Sequence, residues 1–164
     1  MPTRHLGAPE EVLALDTFIK LMRAVNTLRS AVARSLAQVG LTESQLGVLE
    51  CLHHLGPMCQ KQIGEKLLIS GGNVTMVVDN LEKRDLVQRR RESGDRRFVR
   101  VYLTEAGQNL IEDYFPLHAQ AVTREFSALE PQEQRELGRL CRKLGLARAT
   151  AGDACCRAPD LRTR

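Results

Sequence analysis

Residues 70–104 read SGGNVTMVVDNLEKRDLVQRRRESGDRRFVRVYLT, and within them the apolar period changes once. Val74, Val77, Val78 and Leu81 recur every three or four residues, the spacing of one buried helix stripe. Ser70 just before them suits a helix N-cap, since its hydroxyl accepts from an amide that the helix start leaves unpaired. From Leu86 onward the pattern becomes extended. Leu86–Arg91 and Arg97–Leu103 read as two strands, the second with Val99, Val101 and Leu103 on one face. Glu92-Ser93-Gly94-Asp95 between them has turn chemistry, so the two strands form a hairpin.

Upstream, Thr42-Glu43-Ser44-Gln45 reads as a capping box that opens a helix through Leu46, Leu49, Leu52 and Leu55, closed by Gly56-Pro57. A short helix from about Gln60 to Leu68 buries Ile63 and Leu67. Three short helices with tight breaks make a helix-turn-helix. With the hairpin directly behind it, the unit is a winged helix spanning about 42–104.

Long helices flank this unit. Residues 11–39 carry one apolar stripe from Val12 to Val39, closed by Gly40, and residues 105–145 carry two more helical runs. Pro116 predicts a kink or break near residue 115. Pro131 suits the first turn of the last helix, whose stripe of Leu137, Leu140 and Leu144 stops at Gly145. The stripes of the first and last helices have no evident partner in a monomer, so both are expected to build a homodimer. Residues 1–10 read as an arm, 11–147 as the domain, and 148–164, which lose all periodicity, as a disordered tail. The expected fold is mainly α with a small antiparallel β-hairpin wing.

The charge is concentrated. The 164 residues carry a net +4, yet residues 83–100 alone hold eight basic residues against three acidic ones, a net of +5. A focused positive field suits a polyanion, because each neutralised phosphate releases condensed counterions. The plainer reading, a solvated basic loop, loses ground once the run sits behind a helix-turn-helix. The second helix of that motif enters a major groove N-terminus first. Gly71 and Gly72 let a phosphate backbone approach, Asn73 and Thr75 can read base edges, and Met76 can pack on a thymine methyl. At the hairpin tip Arg96 and Arg97 suit a minor groove, with Asp95 holding Arg97 extended by a bidentate pair. Ser70, Lys61 and Arg91 complete the candidate contacts to double-stranded DNA. Two-fold symmetry matches a palindromic operator with half-sites about 34–36 Å apart.

Asp95-Arg96-Arg97-Phe98-Val99-Arg100-Val101-Tyr102-Leu103-Thr104-Glu105-Ala106-Gly107 resembles the wing signature of the multiple antibiotic resistance regulator (MarR) family, an Asp-x-Arg, a strand and Leu-Thr-x-x-Gly. Val74-Thr75 through Val78-Asp79-Asn80-Leu81-Glu82-Lys83-Arg84 and Leu86-Val87 resembles that family's reading helix and its exit. The likeness covers about residues 11–145. It implies a homodimeric transcriptional regulator, usually a repressor, released from DNA by a small phenolic or otherwise aromatic ligand or by thiol oxidation. It also implies that Asp95 and Arg97 are the wing pair and that Ser70, Gly72, Asn73 and Thr75 lie on the groove-facing helix start. One departure stands at Asp85, where the family commonly has Gly at the helix exit.

Five cysteines without an export signal point to reduced thiols in the cytoplasm. Cys51 and Cys141 read as core residues, and Cys155-Cys156 as free thiols or intermolecular partners in the tail. Cys59 beside Lys61 is the redox candidate, which makes a thiol-sensing regulator the alternative function. Oxidation-sensing relatives typically carry their reactive thiol near the N-terminus, and no Cys precedes Cys51 here. His53 and His54 with Cys51 or Cys59 match no common zinc spacing, so neither metal nor cofactor is expected. No apolar run is long enough for a membrane span. No phosphate loop or nucleophile–base pair stands out, and an enzyme is not expected.

Overall fold

The stripe Val74, Val77, Val78 and Leu81 is buried to 5% exposure or less, which fixes the rotation of the helix that carries it. In the computed structural model, which describes residues 3–92 and 95–146, the order is α1 (Pro9–Leu36), a 3-10 turn (Ala37–Val39), α2 (Glu43–Leu55), α3 (Gln60–Leu67), α4 (Gly71–Lys83), β1 (Val87–Glu92), β2 (Asp95–Leu103), α5 (Glu105–Phe126) and α6 (Pro131–Leu146). The side chains of residues 92–98 lie outside the described residues, as does all of the expected tail from 148 with Cys155 and Cys156.

Local chemistry sets most boundaries. Thr42 closes the expected box on α2, accepting from the Gln45 amide at 3.2 Å while its own amide donates to Gln45 Oε1 at 2.9 Å. Ser70 caps α4, its Oγ accepting from the Asn73 amide at 3.4 Å. α1 starts two residues earlier than the apolar stripe suggests, because Pro9 takes the first helical position and Glu10 and Glu11 favour the first turn. Its expected last residues, 37–39, tighten into a 3-10 turn before Gly40, at φ 62°.

The core joins the three short helices to the hairpin and α5 through Leu49, Ile63, Val74, Leu81, Val101 and Ile111, each 1% exposed or less. The hairpin is antiparallel, Val87 opposite Leu103 and Arg91 opposite Val99, with the register shifting between Arg91 and Glu92. Val101 also donates to the Met58 carbonyl at 3.0 Å, so the loop before α3 adds a single bridge to the sheet. Spacing did not reveal that bridge.

Asp85 occupies the left-handed region at φ 56°, the conformation a helix exit there requires and which Asp tolerates better than most residues. Its carbonyl accepts from Thr104 Oγ1, which in turn accepts from the Gly107 amide at 3.0 Å. A Cβ on Gly107 would lie 1.9 Å from the Leu86 carbonyl oxygen. The Leu-Thr-x-x-Gly signature is thus a staple: Thr104 holds the exit of α4, and Gly107 lets α5 pass over it.

Four expectations fail. Leu55, read with Leu46, Leu49 and Leu52 as the apolar stripe of α2, is the last residue of that helix and is 58% exposed. The break expected as one outcome at Pro116 does not occur, and α5 continues through it. Ile111 and Tyr114 before the proline are buried and Tyr114 stacks on His118 after it, so packing on both sides outweighs a cost of about 3 kcal/mol. α6 continues past Gly145 to Leu146, and Cys141, expected in a core, is exposed. Residues up to Glu125 form one compact unit, and α6 belongs to a second, in which no residue of that helix is buried.

Gly107→Ala should destabilise the fold by about 3 kcal/mol, because the methyl meets a backbone oxygen that cannot turn aside. Urea unfolding checks this; a loss below about 1 kcal/mol would show that the α4–β1 exit yields easily.

Candidate nucleic-acid interface

With its apolar stripe turned inward, α4 presents Gly71, Gly72, Thr75 and Met76 on an exposed face, Met76 at 57%. Apart from the helix's own backbone and the adjoining residues, no atom lies within 4 Å of a Cβ built on Gly71 or Gly72, so both positions are open. Ser70 is exposed and Asn73 half-buried. Thr75 is less free than its sequence suggests. Its hydroxyl donates to the Gly71 carbonyl at 3.1 Å and accepts from Gln60 Nε2 at 3.2 Å, which leaves one lone pair and the methyl group.

Lys61 lies one helix away on α3, exposed and 3.9 Å from Glu65. Arg91 is exposed near the end of β1. The backbone of Asp95, Arg96 and Arg97 belongs to β2, while the expected Asp95–Arg97 pair falls outside the described side chains. Helix α4 and the hairpin therefore belong to one packed unit.

The basic run is not uniformly available. Arg84 donates to the Gly40 carbonyl at 2.8 Å and so ties the exit of α4 to the end of the first helix. Arg90 sits 5.2 Å over the Tyr102 ring. Arg89 is 23% exposed and bound to two carboxylates of α4. Composition counted these charges together, but their partners lie 44, 12 and up to ten residues away in the chain.

A second feature lies between α1 and α2. Leu28 and Val32 of α1 and Leu46 and Gly47 of α2 line a crevice of about 250 Å³ whose polar members are Arg29, Glu43 and Glu50. Arg29 Nε donates to Glu43 Oε2 at 2.8 Å. Glu50 Oε1 is 3.5 Å from His118 Nε2 on α5. Burial pushes the Glu50 carboxyl above its ordinary value, while His118 and then His54 pull the other way. The Cys51 thiol beside it is pushed up by burial and by Glu50, against a smaller opposing pull from Lys66. That disfavours the reactive thiolate. Cys59, the redox candidate, is half-buried at the N-cap of α3, where its amide donates to Gln62 Oε1 at 2.9 Å. Among the described residues no group of three or more His, Cys, Asp or Glu could hold a metal, and no helix is long and apolar enough to cross a membrane.

A carboxyl raised in the fold keeps its proton longer there than in the unfolded chain, so its contribution falls as pH rises from the unfolded value through the folded one. Glu50→Gln should therefore gain stability relative to the parent as pH rises above the ordinary carboxylate value. Urea midpoints of both proteins across that window provide the check; a difference constant with pH would contradict it.

Comparison with known proteins gives this geometry a context. Residues 41–99 match the MarR family. Two Bacillus subtilis (strain 168) proteins, the uncharacterized HTH-type transcriptional regulator YkoM and the HTH-type transcriptional regulator MhqR, are each 34% identical over 133 residues. Those alignments cover 81% of this chain and 86% and 92% of theirs. Among solved structures, BpsR of Bordetella bronchiseptica, whose DNA binding is regulated by 6-hydroxynicotinic acid, is 27% identical with a TM-score of 0.71, covering 81% of this chain and 91% of that one. The MarR family regulator AbsC of Streptomyces coelicolor has the same fold, with a TM-score of 0.78 at 22% identity over 90% of this chain and 99% of its own. The chain belongs to the MarR family: it is a winged-helix transcriptional regulator and not an enzyme.

Proposed function

We propose that the chain acts as a homodimeric, sequence-specific repressor that leaves a palindromic operator when a small aromatic or phenolic ligand binds. The supporting observation is the open, glycine-edged start of α4 held in one unit with a basic hairpin. In this reading Ser70, Gly71 and Gly72 border a phosphate, and Asn73 reads a base edge. Thr75 offers an acceptor or its methyl, and Met76 meets a thymine methyl. Lys61 and Arg91 contact phosphates, and Asp95 sets Arg97, with Arg96 beside it, into the minor groove.

The dimer reading rests on exposed apolar surface in the terminal helices. α1 exposes Leu13, Phe18 and Met22 at 69, 58 and 40%, and only Leu36 of its 28 residues is buried. α6 exposes Leu140 and Leu144 at 47 and 65%. Apolar surface repeated along two helices calls for another surface to cover it, and a second copy also doubles the phosphate contacts. The α1–α2 crevice suits the effector: its aliphatic wall takes a ring, and Glu50 accepts from a phenolic hydroxyl. BpsR, regulated by a hydroxylated aromatic acid, favours that ligand class.

Selecting bound fragments from the source genome and titrating one of them against salt tests this reading. Affinity should fall steeply with salt, and Arg97→Ala should weaken operator binding by about tenfold or more. Unchanged affinity in the variant would remove the wing from the account, and no retained duplex at low salt would overturn it.

A further inference from the structure

Arg89 sits in the middle of the most basic run in the chain, yet its guanidinium points back to α4. Nη2 lies 2.6 Å from Asp79 Oδ1 and Nη1 2.5 Å from Glu82 Oε2. The backbone amide of Arg89 donates to the other Glu82 oxygen at 2.9 Å, so one carboxylate grips both the strand and its side chain. On β1 Arg89 lies opposite Val101, which is fully buried and bonded to Met58. On α4, Asp79 is one turn beyond Thr75 and Met76. The clamp therefore joins the base of the hairpin to the helix whose other end carries the open glycines.

We infer that Arg89 is a positioning residue for DNA recognition: it contacts no phosphate, and through Asp79 and Glu82 it sets the angle between hairpin and reading helix. This rests on the DNA reading proposed above. The lever is short but sufficient. Glu92 at the end of β1 is three residues on, about 10 Å away. A 10° tilt at the base moves that end by about 2 Å, more than the whole tolerance of a hydrogen bond. A guanidinium spans the two carboxylates as a rigid fork, whereas an ammonium offers a single point charge.

Two full-length variants separate this role from a charge effect. Asp79→Asn/Glu82→Gln removes two negative charges per chain and loosens the fork. Bulk electrostatics then predicts tighter binding to every duplex, whereas loss of positioning predicts weaker binding to the operator alone. Arg89→Lys keeps the charge, so it preserves a phosphate contact but not the fork. The charge left unpaired in the neutral variant is Arg89, whose 23% exposure keeps its guanidinium in contact with water, and in Arg89→Lys the acids, 47 and 38% exposed, stay solvated.

The assay compares the selected operator with a scrambled duplex of equal length at several salt concentrations, with circular dichroism confirming helix content. The expected result is an operator-to-scrambled affinity ratio reduced about tenfold in both variants, with the salt slope of Arg89→Lys unchanged. An unchanged ratio in Arg89→Lys overturns the inference. So does a neutral variant that binds both duplexes equally more tightly. A parent protein indifferent to duplex overturns the DNA reading as well, and that outcome is visible before any variant is made.

Discussion

Burial of Val74, Val77, Val78 and Leu81 is the constraint on which the rest of the structure depends. A helix of 13 residues has one rotational freedom that matters, and four aliphatic side chains in the core remove it. Burying each contributes roughly 1.5–3 kcal/mol, so turning α4 to hide Met76 instead would forfeit most of that stabilisation. Everything α4 offers outward follows from this. Gly71 and Gly72 lie open because nothing packs on them, and Asp79 and Glu82 lie where β1 passes and can grip Arg89.

The positive charge of residues 83–100 divides into two kinds. Arg84, Arg89 and Arg90 have protein partners: a carbonyl at the end of the first helical segment, two carboxylates and an aromatic ring. Arg91 is exposed. Charge in this segment therefore serves assembly as well as attraction. A count of net charge alone overstates how many phosphates it can neutralise.

Local signals were legible in the sequence: the Thr42 and Ser70 caps, the hairpin turn, and the inward faces of α4 and, Leu55 apart, of α2. Each depends on residues within four positions of one another, which spacing reports directly. The bridge from Met58 to Val101, the Glu50–His118 contact and the Arg89 clamp were not legible, because they join residues between 7 and 68 positions apart. That α5 does not break at Pro116 has the same origin. The local cost of the proline is real, but the packing of Ile111, Tyr114 and His118 that overrides it is tertiary. Of the proposed site, the helix start was readable from glycines and a cap, whereas the competing bonds of the Thr75 hydroxyl required coordinates.

Methionine oxidation tests the central claim most directly. Met76 is 57% exposed on the outward face of α4, and Met58 is 7% exposed in the core, so one chain carries both probe and internal control. Peroxide treatment with and without a bound operator duplex, read by mass spectrometry, should show Met76 protected by DNA and Met58 slow in both states. Met76 oxidising at the same rate with the duplex bound would contradict the placement of this face in the groove.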